Sequence, residues 1–256
     1  MTGALALHRA EVIRHLVRRD FRLRYHDSTL GLAWSLLLPL TQLAVLVFLF
    51  QRVVPLGIDG YPAFVFSALL PWTWFSACLA GAGTLFLGNR DLVRRPDFDP
   101  FVIVVVSTLS NLLGYLVGVP ILLAVCAAYG AALTPALLAL PGLLLIEGAL
   151  ILGLSLVVAT LNVFYRDVQH IVGVALTLLF YLTPVFYRGA EAGERAQILF
   201  TLSPIAVLVQ AHRAIVFRGE LPGAGALAVA SLTSLLVCGF GYALYRRQRH
   251  DIVDAI

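Results

Sequence analysis

The longest charge-free run of this 256-residue sequence extends from Pro100 to Ile146 and reads PFVIVVVSTLSNLLGYLVGVPILLAVCAAYGAALTPALLALPGLLLI. A helix needs about 20 apolar residues to cross a bilayer, so these 47 residues hold more than one crossing. Tyr129-Gly130 and Thr134-Pro135 supply turn residues that divide the run. We therefore expect two membrane-spanning helices here, near 101–128 and 136–160.

Five further charge-free runs surround this segment: Ser28–Gln51, Gly60–Asn89, Gly148–Tyr165, Val168–Tyr187 and Leu221–Tyr245. They predict further spans near 32–54, 61–86, 169–187 and 223–245, while Gly148–Tyr165 belongs to the span near 136–160. Segments that face lipid must satisfy their own backbone hydrogen bonds, which favours helices. The sequence thus predicts an all-α membrane protein with six transmembrane helices, in a single transmembrane domain over residues 1–256.

The composition agrees with this plan, because 60% of the residues are hydrophobic and only 12% are charged. Soluble domains carry about 25% charged residues, so a soluble monomer is excluded. The cysteines Cys78, Cys126 and Cys238 lie inside apolar runs, which favours packing over disulfides or a zinc site. The first apolar run is too long for a cleavable signal peptide, so we expect it to remain in the protein.

All 18 basic residues are arginines, since the sequence contains no lysine. They form short clusters between apolar runs, a pattern typical of membrane loops, and this argues against nucleic-acid binding. Six spans with both termini cytoplasmic place thirteen arginines inside and five outside, as the positive-inside rule requires. The segment 246–256 is then a cytoplasmic tail.

One segment, 190–217, does not fit a simple crossing, although it is apolar for most of its length from Ala196 to Phe217. Ser203-Pro204 divides it into two short pieces, and His212 and Arg213 interrupt the second piece. Pieces of about 10–14 residues are typical of re-entrant or interfacial helices. We expect a pair of re-entrant helices on the outer side, because a seventh crossing would move the arginines of the tail outside.

The N-terminal segment 1–31 contains an amphipathic pattern. Ile13, Leu16, Val17 and Phe21 recur at helical spacing, and Arg14, Arg18 and Arg22 form a basic stripe. Such a helix lies in the headgroup plane of a membrane. An orientation anchor and a gating role are both compatible with it.

The residues expected of an enzyme are absent. A Walker A loop needs a lysine to reach the phosphates of ATP, and this chain has none. No histidine is predicted within reach of an intramembrane serine, and no two histidines or carboxylates have metal-binding spacing on a span. We therefore predict no catalytic, cofactor-binding or metal-binding residue and no cofactor in this chain.

Glu147 is the one carboxylate predicted deep within a span. An ionisable group at that depth suggests a functional site, such as a proton-coupling group in an ion-coupled secondary transporter. The alternative is a protonated or hydrogen-bonded structural residue, and the absence of a second intramembrane charge favours it.

Two predicted cytoplasmic loops carry charges in distinctive order. In GNRDLVRRPDFDP (88–100), Asn89 can cap a short helix that Pro96 ends. Around Tyr165, Arg166 and Asp167, a second loop places aromatics beside an Arg-Asp pair. Solvated turns and interfacial anchors are the alternatives to a contact surface.

These segments together resemble a known family. The stretch RYHDSTLGLAWSLLLPL (24–40), the 88–100 loop, LNVFYRD (161–167), TPVFY (183–187) and LSP (202–204) resemble the membrane subunit of type-2 ABC exporters for bacterial cell-surface polysaccharides. That family includes the permeases for O antigen, teichoic acid and other lipid-linked glycans. The similarity extends over nearly the whole chain in order.

The resemblance implies a homodimer in the bacterial inner membrane that works with two copies of a separate ATPase, which holds ATP and magnesium. A lipid-linked polysaccharide would pass between the two permease subunits. The interface helix would include Arg14, Arg18, Arg22, Arg24 and Tyr25. The residues implied to couple to the ATPase are Asn89, Arg90, Asp91, Leu92, Val93, Arg94, Arg95, Pro96, Asp97, Phe98, Tyr165, Arg166 and Asp167.

Aromatic residues near the implied channel are candidates for stacking on sugar rings, although each is also compatible with packing or with an interfacial belt. They are Trp34, Phe48, Phe50, Trp72, Trp74, Phe75, Phe180, Tyr181 and Phe186. Two other functions remain open at this point: a type-2 ABC permease for drugs or lipids, and an ion-coupled secondary transporter centred on Glu147.

Overall fold

The computed structural model describes residues 11, 13–20, 33–131, 134–189 and 193–256, without the side chains of 33–35 and 194–196. The described residues form helices and no strand. The helices are α1 (13–20), α2 (Ala33–Phe48), α3 (Tyr61–Ala82), α4 (Leu85–Gly88), α5 (Arg90–Val93), α6 (Phe101–Ala128), α7 (Leu140–Phe164), α8 (Val168–Leu182), α9 (Gly193–Leu202), α10 (Pro204–Arg213) and α11 (Ala224–Ala255). Shorter helical turns cover Leu49–Val53, Pro135–Ala139 and Ala214–Arg218.

Five helical segments of the described chain are long and apolar enough to cross a membrane: Leu36–Val53, Tyr61–Ala82, Phe101–Ala128, Pro135–Phe164 and Ala224–Ala255. The chain is thus an α-helical membrane protein. The span predicted near 169–187 corresponds to α8, which has 15 residues. At about 1.5 Å per residue, α8 is shorter than the hydrocarbon core of about 30 Å.

The helix α3 occupies the centre of the bundle. It contacts α2, α6, α7, α8 and α10, and most of its side chains are buried. Pro62 lies in its first turn, where the missing amide hydrogen removes no helical hydrogen bond. An apolar surface on all sides suits a helix that is surrounded by other helices or by lipid, and the burial of α3 shows that other helices surround it.

The helices α7 and α11 are in direct backbone contact along a shared face. A Cβ atom added at Gly241 would lie 2.3 Å from the carbonyl oxygen of Gly153. A Cβ added at Gly153 would lie 2.6 Å from the backbone nitrogen of Cys238. Only glycine allows this approach, which is a common device for packing helices in membranes.

The final helix is longer than the sequence predicts. The charge pattern predicts a span that ends near residue 245, where the arginine cluster begins, but α11 continues through the predicted tail to Ala255. Ile252 and Ile256 are buried in the extension. Their packing, which a count of charges cannot detect, explains why the helix does not end at the arginines.

Contacts that involve loops define the two ends of the bundle. At one end, Nδ2 of Asn162 donates to the carbonyl of Gly83 at 2.8 Å, which joins the last turn of α7 to the loop after α3. At the other end, the hydroxyl of Thr134 donates to the carbonyl of Gly219 at 2.8 Å. We call these the loop end and the opposite end.

The segment after α8 contains two helices of ten residues each, α9 and α10, which meet at Ser203-Pro204. Each is too short to cross a bilayer at about 1.5 Å per residue. The helix α10 packs against α3, α7 and α11, and most of its side chains are buried. A re-entrant position in the membrane agrees with these lengths and remains a prediction.

Candidate functional site

The 88–100 loop presents charged side chains at the loop end of the bundle. Within it, α5 forms a single turn from Arg90 to Val93. Exposed side chains on the loop are Arg90, Asp91, Arg94, Arg95, Pro96 and Asp97. Val93, in contrast, is buried beneath them. The loop therefore has a charged outer surface and an apolar attachment to the bundle.

Asn89 precedes this turn but does not cap it. Its Nδ2 atom donates to the carbonyl of Leu85 at 2.9 Å, and its side chain makes no capping hydrogen bond to α5. The capping role predicted from the sequence is therefore wrong. Asn89 instead links the start of α5 to the start of α4, because α4 is a single turn and the carbonyl of its first residue lies within reach of the Asn89 side chain.

The loop is fastened to α11 at its far side. The Tyr245 hydroxyl donates to Oδ1 of Asp99 at 2.5 Å, and the same carboxylate accepts the amide of Phe101 at 3.2 Å. A terminal nitrogen of Arg249 lies 3.5 Å from the carbonyl of Phe98. Two turns of α11 thus hold the backbone where the loop enters α6.

An apolar cluster fills the space between the loop and the bundle. It joins α4, α5, α6, α7 and α11 and consists of Phe86, Val93, Ile103, Val104, Leu156, Ala159, Tyr245, Ile252 and Ile256. Burial of one large apolar side chain, such as Phe, Ile, Leu or Val, contributes about 1.5–3 kcal/mol to the stability of a protein. Because five helices share this cluster, a displacement of the loop involves all of them.

The helix α1 lies beside the same loop. Leu16, Arg19 and Asp20 share the walls of a cavity of about 100 Å³ with Asn89 and Leu92. Arg14 and Arg18 are exposed, and Ile13, Leu16 and Val17 are half-buried, as expected of an amphipathic helix. Arg22, Arg24 and Tyr25, predicted for the same helix, lie outside the described residues.

The second charged loop also lies at this end. Tyr165, Arg166 and Asp167 are exposed between α7 and α8. Asn162, just before them, is buried, and its Oδ1 accepts the amide of Gln169 at 3.0 Å. Since Asn162 also donates to Gly83, it links the last turn of α7 to the first turn of α8 and to the segment between α3 and α4.

Glu147 pairs with a histidine that the sequence did not associate with it. Its Oε2 atom lies 3.5 Å from Nε2 of His212, and both side chains are buried. Nδ1 of His212 lies 3.0 Å from the carbonyl of Leu208, which can only accept, so this nitrogen carries a hydrogen. Nε2 and the carboxyl group attract each other only if one further proton lies between them.

Arg213, the next residue, is also buried. Its guanidinium donates to the carbonyls of Phe64 at 3.1 Å, Pro184 at 2.9 Å and Val185, and lies 3.7 Å above the ring of Phe64. The pattern is a cation satisfied by carbonyl dipoles and an aromatic face. Arg213 thus joins α3, α10 and the turn after α8 at the opposite end.

Comparison with known proteins places this architecture in a family. A family model described as ABC-2 type transporter matches residues 11–217. The chain belongs to the ABC-2 type transporter family. The match begins at α1 and ends within the turn after α10, so it includes both charged loops and the pair of short helices.

Three relatives are similar to this ABC-2 family member over almost their full length. The O-antigen export system permease protein RfbA of Myxococcus xanthus is 31% identical over 243 residues, 94% of each chain. A Klebsiella pneumoniae protein of the same name is 26% identical over 244 residues, covering 94% of this chain and 93% of the relative. The polysialic acid transport protein KpsM of Escherichia coli is 21% identical over 249 residues, 95% of each chain.

The aromatic residues predicted for a channel occupy different environments in this ABC-2 family member. Trp72, Trp74 and Phe75 are buried in the core and leave almost no surface for a ligand. Phe48 and Tyr181 are exposed, and Phe50, Phe180 and Phe186 are half-buried in one aromatic cluster. The side chain of Trp34 lies outside the described ones.

In the described part of this ABC-2 family member, no three His, Cys, Asp or Glu side chains are grouped so that they could hold a metal ion.

The sequence did not predict the partners of two buried polar residues at the opposite end, His212 and Arg213. Their partners lie on other helices and turns. The spacing of residues along one helix gives no information about contacts between helices.

Proposed function

We propose that this chain is the permease subunit of an ATP-driven exporter that moves a lipid-linked polysaccharide across the bacterial inner membrane. Membership of the ABC-2 type transporter family supports a transport role. The names of relatives matched end to end refer to O-antigen export and polysialic acid transport. Both substrates are surface polysaccharides, which supports a glycan over a drug or a lipid.

The ATP chemistry takes place on a separate partner. The sequence has no lysine for a Walker A loop. This supports a complex in which this chain is the permease and a second polypeptide is the ATPase that binds ATP and magnesium. The partner docks on the 88–100 loop, the loop around Arg166 and the basic face of α1. The single observation that carries this assignment is the attachment of a charged, exposed loop to α4, α6, α7 and α11 through a shared apolar cluster.

The distribution of arginines supports a cytoplasmic position for the loop end. Apart from α1, the loop end carries Arg90, Arg94, Arg95, Arg166, Arg246, Arg247 and Arg249, whereas the opposite end carries Arg52, Arg188, Arg213 and Arg218 among the described residues. The loop end therefore has more arginines than the opposite end, as the positive-inside rule expects of the cytoplasmic side. Both termini then lie in the cytoplasm, and α8 with the turn after it forms the sixth crossing.

A second copy of the chain covers α2 and α8. The helix α8 has no buried residue, although its sequence is apolar, and α2 exposes Leu38, Val45 and Phe48. Two such faces from two protomers enclose a path with Phe48 and Tyr181 along its wall. The closure of the ATPase pair opens this path by moving the protomers as rigid bodies.

The proposal is tested by purifying the full-length chain from its native membrane and identifying the ATPase that accompanies it. The complex is then reconstituted in liposomes with candidate lipid-linked glycans. We expect a glycan to stimulate ATP hydrolysis and to appear in the lumen only with ATP. Transport that needs no ATPase and follows an ion gradient would refute the proposal, and stimulation by drugs or phospholipids alone would refute its glycan substrate.

A further inference from the structure

A cavity of about 400 Å³ lies at the opposite end of the bundle, between α9, α10 and the first turns of α11. Gln197, Phe200 and Thr201 line it from α9, and Gln210 from α10. Arg218 lines it from the turn that follows α10. The volume is within the range of small-molecule sites, about 300–1,000 Å³. The cavity therefore has room for a small ligand but not for a length of polymer.

The polar side chains of the lining suit a ligand with several hydroxyl groups. The hydroxyl of Thr201 donates its hydrogen to the carbonyl of Gln197 at 2.8 Å, so its oxygen can accept a hydrogen bond from a ligand. Nε2 of Gln210 donates to the carbonyl of Ala206 at 3.3 Å, which leaves one amide hydrogen to donate and the amide oxygen to accept. Phe200 is buried and forms an apolar wall between them. A compact ring with hydroxyl groups at its rim and an apolar face is complementary to this arrangement.

The charge of the lining favours an anion. Arg218 is exposed, and no carboxylate of the described residues forms an ion pair with it. Arg213, another cation, also acts electrostatically on Arg218, and its own contacts are carbonyl groups. The exposed carboxylate of Glu220 is two residues further along the chain and outside the lining. Two cations at the edge of a low-dielectric bundle produce a positive potential that attracts anions. A guanidinium also matches the geometry of phosphate and carboxylate groups.

We propose that this cavity binds a sugar residue that carries a phosphate or carboxylate group. Arg218 binds the anion, Gln210 and Thr201 bind ring hydroxyls, and Phe200 packs against the ring. The inference deepens the proposed function and rests on it, because an exporter of glycans presents sugar residues to this end. The cavity would make the exporter sensitive to acidic units in its substrate.

The first experiment measures binding to the full-length permease in phosphatidylcholine nanodiscs. Glucose 1-phosphate and glucuronate are titrated and followed by saturation-transfer difference NMR, with glucose and inorganic phosphate as separate probes. We expect both acidic sugars to bind at least about tenfold more tightly than glucose, since a hydrogen bond to a charged group contributes that much. Equal binding of glucose would overturn the assignment.

Matched variants locate the site. Arg218→Gln should weaken binding of glucose 1-phosphate about tenfold, whereas Arg52→Gln, an exposed arginine at the same end but outside the lining, should not change it. Ala226→Leu places a larger side chain in the cavity and should abolish binding. Ala228→Leu is its control on the same helix outside the lining. Unchanged affinity in both cavity variants would overturn the proposal.

Two alternatives to sugar binding, a structural role for Arg218 and a lipid headgroup in the cavity, each predict a different experimental result. Arg218 lies at the C-terminal end of a helical turn, where a cation stabilises the helix. A purely structural role would lower the melting temperature of Arg218→Gln without changing affinity, and that result would contradict the proposal. If nanodiscs that contain phosphatidylglycerol abolish sugar binding, a lipid headgroup occupies the cavity and the sugar assignment is wrong.

Binding to the permease alone requires neither the ATPase nor export. Failure of these titrations therefore leaves the proposed transport function intact. Conversely, failure of ATP-driven export would remove the proposed role in transport but not a measured affinity for acidic sugars.

Discussion

The Tyr245 hydroxyl donates to the carboxylate of Asp99, 146 residues earlier, and fastens the exit of the 88–100 loop to the last helix. The same hydroxyl lies 3.3 Å from the amide nitrogen of Phe101, at the first turn of α6. One side chain thus fixes the direction in which the loop enters the bundle. If the loop receives force from an ATPase, this bond is on the route by which the force reaches the membrane helices.

Replacing Tyr245 by Phe should therefore uncouple the exporter in part. The ring and its packing remain, but Asp99 loses a hydrogen bond to a charged group, which contributes about 1.5–3 kcal/mol. We expect more ATP hydrolysed per glycan exported, measured in liposomes that contain the complete complex. Tyr242→Phe is the control, because that hydroxyl makes no hydrogen bond to the described residues. An equal effect of both variants would contradict the role of the Tyr245 bond.

Charge reversal on the exposed face of the 88–100 loop should separate ATP hydrolysis from export. Arg94 and Arg95 are both exposed, so Arg94→Glu with Arg95→Glu leaves the apolar cluster intact. The permease should remain in the membrane while glycan-stimulated hydrolysis and export are lost. Arg52→Glu reverses one charge at the opposite end and should leave both activities unchanged. Wild-type export by the double variant would count against docking at this loop.

The pair of Glu147 and His212 should behave as a structural unit. Glu147→Gln supplies an amide that can donate to Nε2 of His212, so we expect transport to persist. His212→Leu leaves a buried carboxyl group without its partner and should destabilise the protein by about 3–5 kcal/mol. The double variant Glu147→Leu with His212→Leu should recover part of that loss, measured by thermal unfolding in detergent. Loss of transport in Glu147→Gln would instead support an ionisable role for Glu147.

A methyl group at Gly241 should force α7 and α11 apart, since it would lie 2.3 Å from the carbonyl oxygen of Gly153. Overpacking of this kind costs about 1–3 kcal/mol, so Gly241→Ala should lower the melting temperature of the purified permease. Gly239→Ala, two residues away on the same helix, meets no atom within 4 Å. The control should melt at or above the temperature of the unchanged protein, and a similar loss in both variants would argue against the close contact.

The sequence predicts those structural features that depend on residues close to one another along the chain. Charge-free runs locate the long helices. Ser203-Pro204 correctly divides α9 from α10, because Ser203 is extended before the proline and Pro204 occupies the first position of α10. The charged face of the 88–100 loop is visible in the same way, since its arginines follow one another. These features depend on local chemistry, which a single sequence contains.

Features that depend on tertiary contacts were missed. The extension of α11 follows from Tyr245, Ile252 and Ile256, which recur at helical spacing and pack on the loop, but the arginines between them suggest a tail. The partner of Glu147 lies on another helix, α10, and Arg213 becomes buried only because three carbonyl groups converge on it. The length of α8 also differs from its apolar run, because the chain turns at Thr183-Pro184.

The helix α11 is uninterrupted over 32 residues, which corresponds to about 48 Å. Its first turns form a wall of the cavity at the opposite end, its last turns hold the 88–100 loop, and its backbone touches α7 near the middle, at Gly241. Such a helix can pivot as a rigid rod about its contact at that glycine. A small tilt at the loop end would then move the opposite end in the other direction, so a single helix would link the two ends of the bundle.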